Sequence, residues 1–193
     1  MKAVQYDRLV IGYHGCSAEV AEAILDGGDF VISENEYDWL GRGIYSWEYG
    51  LDRAWSWARN ASETPSVVGA IIQLGNCFDL LDTRFTGVLA HMADPYVKTL
   101  EQFARPVPRN KGRDVDLKGR FFDCALLNWC LDYLANQPED ARVAYQCVRG
   151  SFQEGDTVYE DSSGLRSAIF KESHIQIAVR DPACIIGTFR PKG

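Results

Sequence analysis

Apolar and polar positions along this chain predict short strands near both ends and helices in between. The runs with strand character are rich in β-branched and aromatic residues and are bounded by glycine, proline or polar residues. They cover residues 9–13, 67–74, 143–148, 174–179 and 184–189. Apolar residues recur three and four positions apart, as a core-facing helix requires, at residues 17–26, 51–61, 86–104 and 121–136.

The first of these helices has recognisable signals at both ends. Ser17 is a favourable N-cap, because its hydroxyl can accept a hydrogen bond from a free backbone N–H of the first turn. The two glycines at residues 27–28 end the helix. Val20, Ala23 and Ile24 share one face of this helix, which we expect to be buried.

A proline- and glycine-rich stretch at residues 105–120 separates the two middle helices, and we expect a mobile loop there. Its basic residues are Arg105, Arg109, Lys111, Arg113, Lys118 and Arg120, against the acidic Asp114 and Asp116. No repeat, low-complexity tract or linker interrupts the chain, so we predict one domain over residues 1–193. The order of the elements predicts an α+β fold with a largely antiparallel sheet.

The composition is that of an ordinary folded protein, with 46% hydrophobic and 24% charged residues. Its 20 Lys and Arg against 27 Asp and Glu give a net charge of −7, which argues against a general nucleic-acid coat protein. No apolar run approaches the ~18 residues that span a bilayer, and the first residues lack signal-peptide character. The six cysteines are scattered without a Cys-x-x-Cys pair. We therefore expect a cytoplasmic protein with reduced thiols and no membrane contact.

Residue spacing excludes several familiar sites. Gly41 and Gly43 lack the third glycine of a dinucleotide-binding fingerprint, because Ser46 stands in its place. The phosphate-binding loop of nucleoside triphosphatases is also missing. His14 and Cys16 form one pair without a second pair at zinc spacing, so we predict no metal site. The same pair lacks a third, orienting group, which disfavours catalysis by the thiol.

Three short segments carry the candidate chemistry. They are residues 13–15, Tyr-His-Gly; residues 41–45, Gly-Arg-Gly-Ile-Tyr; and the strand that contains His174 and Gln176. Alternation puts His174 and Gln176 on one face of that strand and apolar residues on the other. A polar pair on an otherwise apolar strand indicates either a ligand-lined cleft or an exposed strand face.

Two of these segments resemble a known family. Residues 13–16, Tyr-His-Gly-Cys, the helix after them, and residues 40–46, Leu-Gly-Arg-Gly-Ile-Tyr-Ser, are similar to the first two motifs of ADP-ribosyltransferases. The branch is the one typified by diphtheria toxin and the poly(ADP-ribose) polymerases. The resemblance covers residues 9–60 and, more loosely, the last strands. It implies an α+β fold of split antiparallel β-sheets with flanking helices, in which the middle helices are a subfamily insertion.

The resemblance also implies NAD as the substrate, with no metal ion. His14 would hydrogen-bond the adenosine ribose. Gly15 would let backbone amides approach the nicotinamide carboxamide, which a Cβ would hinder. Tyr13 and Gly43 belong to the two motifs and are expected at the same NAD site.

Cleavage of the glycosidic bond of NAD requires a fixed nicotinamide, a distorted ribose and electrostatic stabilisation of an oxocarbenium ion. By the resemblance, Tyr45 would stack on the nicotinamide ring together with an aromatic residue of the next helix, an arrangement that favours the positive charge of the ring. Trp57 is the expected second aromatic residue. Trp55 is the second choice for this position, and the alternative interpretation of Trp55 is a core residue.

The third position of the site departs from the family pattern. The catalytic carboxylate of the family opens a strand near the C-terminus, and by that register Gln176 occupies its place. A glutamine accepts a hydrogen bond from a ribose hydroxyl but supplies no negative charge. Glu160 is the candidate replacement carboxylate, and Glu154 and Glu172 are further choices. The missing charge implies transfer of single ADP-ribose units rather than chain elongation.

The resemblance thus implies a mono-ADP-ribosyltransferase of a bacterial toxin or defence type. It would act on a protein or nucleic-acid acceptor and have an antitoxin or inhibitor as a further partner. The basic stretch at residues 105–120 is the one feature that points to phosphates. Two alternatives stay open: an NAD-binding pseudoenzyme or sensor, favoured by the missing glutamate, and an RNA 2′-phosphotransferase-like enzyme. The latter needs basic residues in the cleft, where only Arg42 is suitably placed.

Overall fold

The computed structural model describes residues 5–113 and 116–192. It contains, in chain order, β1 Gln5–Ser17, α1 Ala18–Leu25, β2 Ile44–Glu48, α2 Leu51–Ala61, β3 Pro65–Asp79, α3 Thr83–Gln102, β4 Lys111–Arg113, β5 Asp116–Gly119, α4 Phe121–Ala135, β6 Cys147–Phe152, β7 His174–Val179 and β8 Ile185–Phe189. A short 3₁₀ turn precedes β8. The mixture of helices and strands that the sequence predicts is confirmed.

Six of the strands form one sheet in the order β1-β2-β7-β6-β3-β8, and β1 also pairs with β3. Strands β1, β2, β7, β6 and β3 therefore close into a ring. All pairs in this sheet are antiparallel except β3 with β6. The parallel pair is possible because β3 has 15 residues, so its last residues, Cys77 to Asp79, reach β6 beyond the part that pairs with β1.

The helix ends follow local signals, but one buried face differs from the expectation. Helix α2 has the bounds that the sequence predicts, and the Ser17 side chain caps α1 by accepting a hydrogen bond from the Val20 N–H. The buried residues of α1 are Ala21 and Ile24, whereas Val20 is 43% exposed and Ala23 is exposed. The expectation for Val20 and Ala23 is wrong, because α1 turns the adjacent stripe of its surface toward the sheet.

Two other segments also differ from the prediction. Within residues 105–120, which we expected to form a loop, β4 and β5 pair as an antiparallel hairpin; Asp114 lies outside the described residues. The strand expected at residues 143–148 begins at Cys147 and continues to Phe152. Gly150 permits this continuation, because a Cβ there would lie 2.6 Å from the Trp39 ring.

The core consists of hydrophobic clusters on the two faces of the sheet. Because side chains alternate along a strand, Ile177 and Val179 of β7 belong to one cluster and Ala178 belongs to another. Leu127 and Leu131 of α4 cover the second cluster. All six cysteines are buried, as expected for core residues. Within residues 5–113 and 116–192, no helix is both long enough and apolar enough to cross a membrane.

A buried ionic cluster joins three strands of the ring. Arg149 of β6 donates hydrogen bonds to Glu48 of β2 at 3.0 Å and to Asp79 of β3 at 3.0 Å, and all three residues are buried. The exposed Arg8 lies 3.5 Å from Glu48 and adds a second positive charge. The cluster thus fixes β2, β3 and β6 relative to one another at the edge of the core.

Candidate functional site

A cleft of about 400 Å³ lies between the sheet and α2, within the usual range for small-molecule sites, roughly 300–1,000 Å³. Strand pairing explains its position, because β2 lies between β1 and β7 and places Trp47 opposite both Tyr13 and Gln176. The predicted site residues that line the cleft are His14, Gly15, Tyr45, Trp57 and Gln176. Residues from distant parts of the sequence therefore meet at one site.

His14 is held in a single tautomer by the backbone. Its Nδ1 lies 2.8 Å from the Tyr45 carbonyl oxygen. Because a carbonyl can only accept, Nδ1 carries the hydrogen and Nε2 is a free acceptor. Burial lowers the pKa of His14 below its usual 6.5, although the hydrogen bond to Tyr45 opposes this shift. His14 is therefore a neutral hydrogen-bond acceptor at neutral pH.

The hydroxyl of Tyr45 is fully committed within the protein. It donates to the Gly41 carbonyl at 2.7 Å and accepts from the Leu40 N–H at 3.0 Å. Burial raises the pKa of Tyr45 well above its usual value. What Tyr45 offers to a ligand is consequently its ring, which agrees with a stacking role.

Gln176 is oriented by a neighbouring tryptophan. The Trp39 Nε1–H donates to the Gln176 Oε1 at 2.6 Å. An indole N–H can only donate, so the oxygen and nitrogen of the amide are assigned by chemistry. A ribose hydroxyl that donates to Gln176 would therefore share Oε1 with the Trp39 N–H. The amide N–H₂ is left to donate to a ligand.

The aromatic wall includes a residue that our sequence analysis missed. Trp57 is 49% exposed and lines the cleft, but Trp55 does not line it and packs instead near Trp47 and Ala54. Trp47 is only 5% exposed, lines the cleft and lies 6.1 Å from the Trp57 ring. Alternation along β2 puts Trp47 on the same face as Tyr45, but the sequence did not predict this strand, so Trp47 was not identified.

Tyr13, Gly43 and Gly15 have positions that packing explains. Tyr13 points to the other face of β1 from His14, and neither Tyr13 nor Gly43 lines the cleft. A Cβ on Gly43 would lie 2.9 Å from the Ala178 Cβ, and a Cβ on Gly15 would lie 2.5 Å from the Ala54 carbonyl oxygen. Close approach of β7 and α2 therefore accounts for both glycines, and of the three residues only Gly15 borders the cleft.

The candidate carboxylates differ in position. The Glu160 side chain is 60% exposed, lies 3.9 Å from Arg166 and belongs to a separate surface depression. Glu154 lines the cleft and binds Arg53 at 2.6 Å, and Arg53 also binds Glu172 at 3.1 Å. Of these three candidate carboxylates, Glu154 is thus the one that lines the cleft, and it is already paired with an arginine.

Asp38 is a second carboxylate of the cleft wall. It accepts hydrogen bonds from the Ser33 hydroxyl at 2.7 Å and the Asn35 N–H at 3.2 Å. These bonds hold the loop between α1 and β2 in place beside the cleft. Sequence analysis did not identify Asp38, because the polar, irregular loop around it carries no periodic signal.

The basic residues are distributed differently from the expectation for a phosphate site. Arg42 donates to Asp132 at 2.9 Å and does not line the cleft, whereas Arg53 does line it. In the basic stretch, Arg120 lies over the ring of Phe152, which borders the cleft, at 5.1 Å from the ring centroid. The side chains of Arg113 and Lys118 lie outside the described residues.

Three side chains of the cleft wall each have a buried polar atom without a partner. His174 shares the cleft face of β7 with Gln176, as alternation predicts, and its Nδ1 donates to the Glu172 carbonyl at 2.7 Å. Its Nε2 is buried without a hydrogen bond, and so are the Trp47 Nε1 and the Arg53 Nε. Such atoms cost about 1–3 kcal/mol each when left unsatisfied, so they lower the stability of the cleft wall.

Comparison with known proteins adds no relative to this picture: no protein-family model, curated protein or solved structure matches the chain significantly. Within residues 5–113 and 116–192, no group of three or more His, Cys, Asp or Glu side chains is arranged to hold a metal ion. The side chains of the cleft are therefore the basis for its chemistry.

Proposed function

We propose that this protein is an NAD-dependent mono-ADP-ribosyltransferase that transfers one ADP-ribose unit to a macromolecular acceptor and releases nicotinamide. One observation carries the proposal: His14, Tyr45, Trp57 and Gln176, the residues that the family resemblance selects, line one cleft. The cleft also has the aromatic character that a nicotinamide and an adenine require. A cytoplasmic, toxin-like role belongs to the same proposal.

The cleft side chains suit the parts of NAD in different ways. The free Nε2 of His14 accepts a hydrogen bond from a ribose hydroxyl. Tyr45 and Trp57 offer ring faces to the cationic nicotinamide. The amide N–H₂ of Gln176 donates to the second ribose and fixes its orientation. Arg53 is a cation of the cleft wall for the diphosphate, shared with Glu154 and Glu172.

The bond that breaks is the glycosidic bond of NAD. The cleft residues hold the two groups that this bond joins, the ribose and the nicotinamide. Gln176 cannot balance the positive charge that develops on the ribose. An electrostatic stabiliser of this kind is typically worth about 10²–10³ in rate. We therefore expect slow turnover compared with an enzyme that has a glutamate at this position.

The second candidate function is an NAD-binding sensor without transferase activity. The observation that favours it is that two carboxylates of the cleft wall already have partners: Glu154 is bound to Arg53 at 2.6 Å, and Asp38 accepts from the Ser33 hydroxyl at 2.7 Å. The phosphotransferase alternative has less support, because Arg42 is bound to Asp132 outside the cleft.

Incubation of the pure protein with NAD, with and without a cell lysate, tests the proposal. A transferase releases nicotinamide and labels a macromolecule when the lysate is present. Trp57→Ala should weaken NAD binding in calorimetry about tenfold through loss of stacking, and Trp55→Ala is the matched control outside the cleft. Binding of NAD without release would select the sensor, and the absence of both would contradict the proposal.

A further inference from the structure

Trp39 occupies the space that a side chain at residue 150 would take, directly beside Gln176. Gly150 of β6 and Gln176 of β7 are cross-strand partners, so side chains at these two positions would be neighbours on one face of the sheet. A Cβ on Gly150 would lie 2.6 Å from Cη2 of the Trp39 ring. The glycine therefore leaves a gap for the ring, and the Nε1 of this ring lies 2.6 Å from the Gln176 Oε1.

The Trp39 ring is held in this gap by its neighbours. The centroid of the Phe152 ring lies 5.1 Å from that of Trp39. Leu40, the next residue along the chain, is completely buried, and its N–H donates to the Tyr45 hydroxyl at 3.0 Å. Asp38, the preceding residue, is held by hydrogen bonds within its own loop. The indole N–H is consequently fixed in position by the protein itself.

A fixed indole N–H selects one of the two orientations of the Gln176 amide. The two ends of an amide have opposite hydrogen-bonding character, and rotation about the last side-chain bond exchanges them. Because an indole N–H can only donate, it holds the oxygen toward Trp39. Gln176 borders the cleft, so this orientation leaves its Nε2 to donate to a ligand. Loss of the indole N–H would remove the selection.

Resting on the proposed function, we propose that Trp39 is a positioning residue for Gln176 in the transfer of ADP-ribose. Gln176 touches the ribose, and Trp39 acts through it by holding the amide Nε2 toward that ribose. An orientation that is fixed before the substrate binds does not have to be reached in the transition state, so it increases the rate. Gly150 supports the same arrangement, because it leaves the gap in which the Trp39 ring lies.

A carboxylate at residue 176 separates orientation from packing. In Gln176→Glu the two oxygens are equivalent, so Trp39 has no orientation to select. The test measures nicotinamide release from NAD at mildly alkaline pH, where this carboxylate is ionised. Trp39→Phe keeps a ring in the gap but removes the donor. It should lower kcat about tenfold with little change in KM, whereas in combination with Gln176→Glu it should change kcat at most about twofold. Trp55→Phe, which replaces an indole outside the cleft, is the matched control.

A second variant reaches the same contact without changing Trp39. Gly150→Ala places a methyl group where the ring lies, so the indole N–H should move away from Gln176. Its kcat should fall as in Trp39→Phe, and this loss should also disappear in combination with Gln176→Glu. Gly87→Ala is the matched control, because a Cβ on Gly87 meets nothing within 4 Å. Urea denaturation of each variant checks that the protein is folded.

NMR spectroscopy of isotope-labelled protein gives a reading that does not depend on catalysis. The indole N–H signal of Trp39 is the one missing from Trp39→Phe, and it should shift upfield in Gln176→Ala because its acceptor is gone. An unchanged signal in Gln176→Ala, wild-type kcat in Trp39→Phe, or equal losses with and without Gln176→Glu would each overturn the inference alone. A wild type that releases no nicotinamide would overturn the proposed function, and the Trp39 signal would then decide by itself whether the amide is held.

Discussion

Two histidines in the cleft are each held by a backbone carbonyl, and this single contact determines their chemistry. His14 donates to Tyr45 and His174 donates to Glu172, so both present an unprotonated Nε2. The sequence predicts the position of His174 on its strand, because alternation along a strand is local, whereas the strand predicted at residues 9–13 ends before His14. It does not predict the tautomers, which depend on carbonyls 31 residues away in one case and two residues away in the other.

Removal of the Tyr45 hydroxyl should separate its structural role from its binding role. Tyr45→Phe leaves the Gly41 carbonyl and the Leu40 N–H without their partner, so we expect a loss of about 1–3 kcal/mol in the free energy of unfolding. The ring remains, and NAD affinity should be retained. Tyr45→Ala should lose both. Urea denaturation and calorimetry on the same samples measure the two effects, and weaker NAD binding by Tyr45→Phe would contradict the stacking role.

Substitution of Gln176 tests the missing charge. Gln176→Glu should speed NAD cleavage by about 10²–10³, since Trp39 can donate to a carboxylate as it does to the amide oxygen. Gln176→Ala should slow it by removing the donor to the ribose. Nicotinamide release is the readout. If Gln176→Ala has no effect and Glu154→Gln abolishes release, Glu154 is the catalytic carboxylate instead; Glu160→Gln is the control outside the cleft.

The protein should become less stable as the pH falls just below 6.5. His14 and His174 have lowered pKa values in the folded state, so the unfolded chain takes up protons first and the free energy of unfolding decreases with falling pH. Denaturation in urea at a series of pH values measures the slope. His14→Gln and His174→Gln should each make it shallower, and a slope equal to that of the wild type in both variants would contradict this prediction.

At the scale of elements, agreement between sequence and structure depends on how local the signal is. Helix α2 has its predicted bounds because its apolar stripe, Ala54 and Ala58, lies within one segment. Strand β2 was not predicted as a strand: it has five residues and is largely buried, so no alternation is visible. Strand β3 pairs with three partners through contacts between distant segments. The periodicity within one segment does not predict such contacts.

Breaking the buried cluster should destabilise the ring of strands. Arg149→Met leaves the carboxylates of Glu48 and Asp79 buried without their main partner, and we expect a loss of about 3–5 kcal/mol in the free energy of unfolding. Arg190→Met, which breaks the exposed pair with Glu22, is the control and should cost at most about 1 kcal/mol. Equal effects of the two variants would show that burial of the cluster does not matter.

At the scale of the whole molecule, the cleft combines residues from both ends of the chain, and four of the residues that the family resemblance selects, His14, Tyr45, Trp57 and Gln176, line it. Trp39, Trp47, Asp38 and Phe152 also line this cleft but belong to no motif in the sequence. The molecule carries a net charge of −7, yet Arg109 and Lys111 are exposed and make no ion pair among the described residues.

Removal of this exposed positive charge distinguishes nucleic-acid from protein acceptors. Combined Arg109→Gln and Lys111→Gln should leave NAD cleavage unchanged, because both residues lie outside the cleft. If the acceptor is a nucleic acid, transfer to it should weaken and its salt dependence should become shallower. Lys98→Gln with Arg142→Gln removes the same charge elsewhere and is the control. An equal loss of NAD cleavage would instead implicate this stretch in folding.

The six buried cysteines allow the opening of the protein to be followed segment by segment. An alkylating reagent reaches a buried thiol only when the surrounding element opens, and burial raises the pKa of Cys124 and Cys130 to about 11, which keeps these thiols protonated. Cys16 reports on the end of β1, Cys130 on the middle of α4 and Cys147 on the start of β6. Mass spectrometry of the alkylated protein over time would thus rank these elements by how often each one opens, without any added label site.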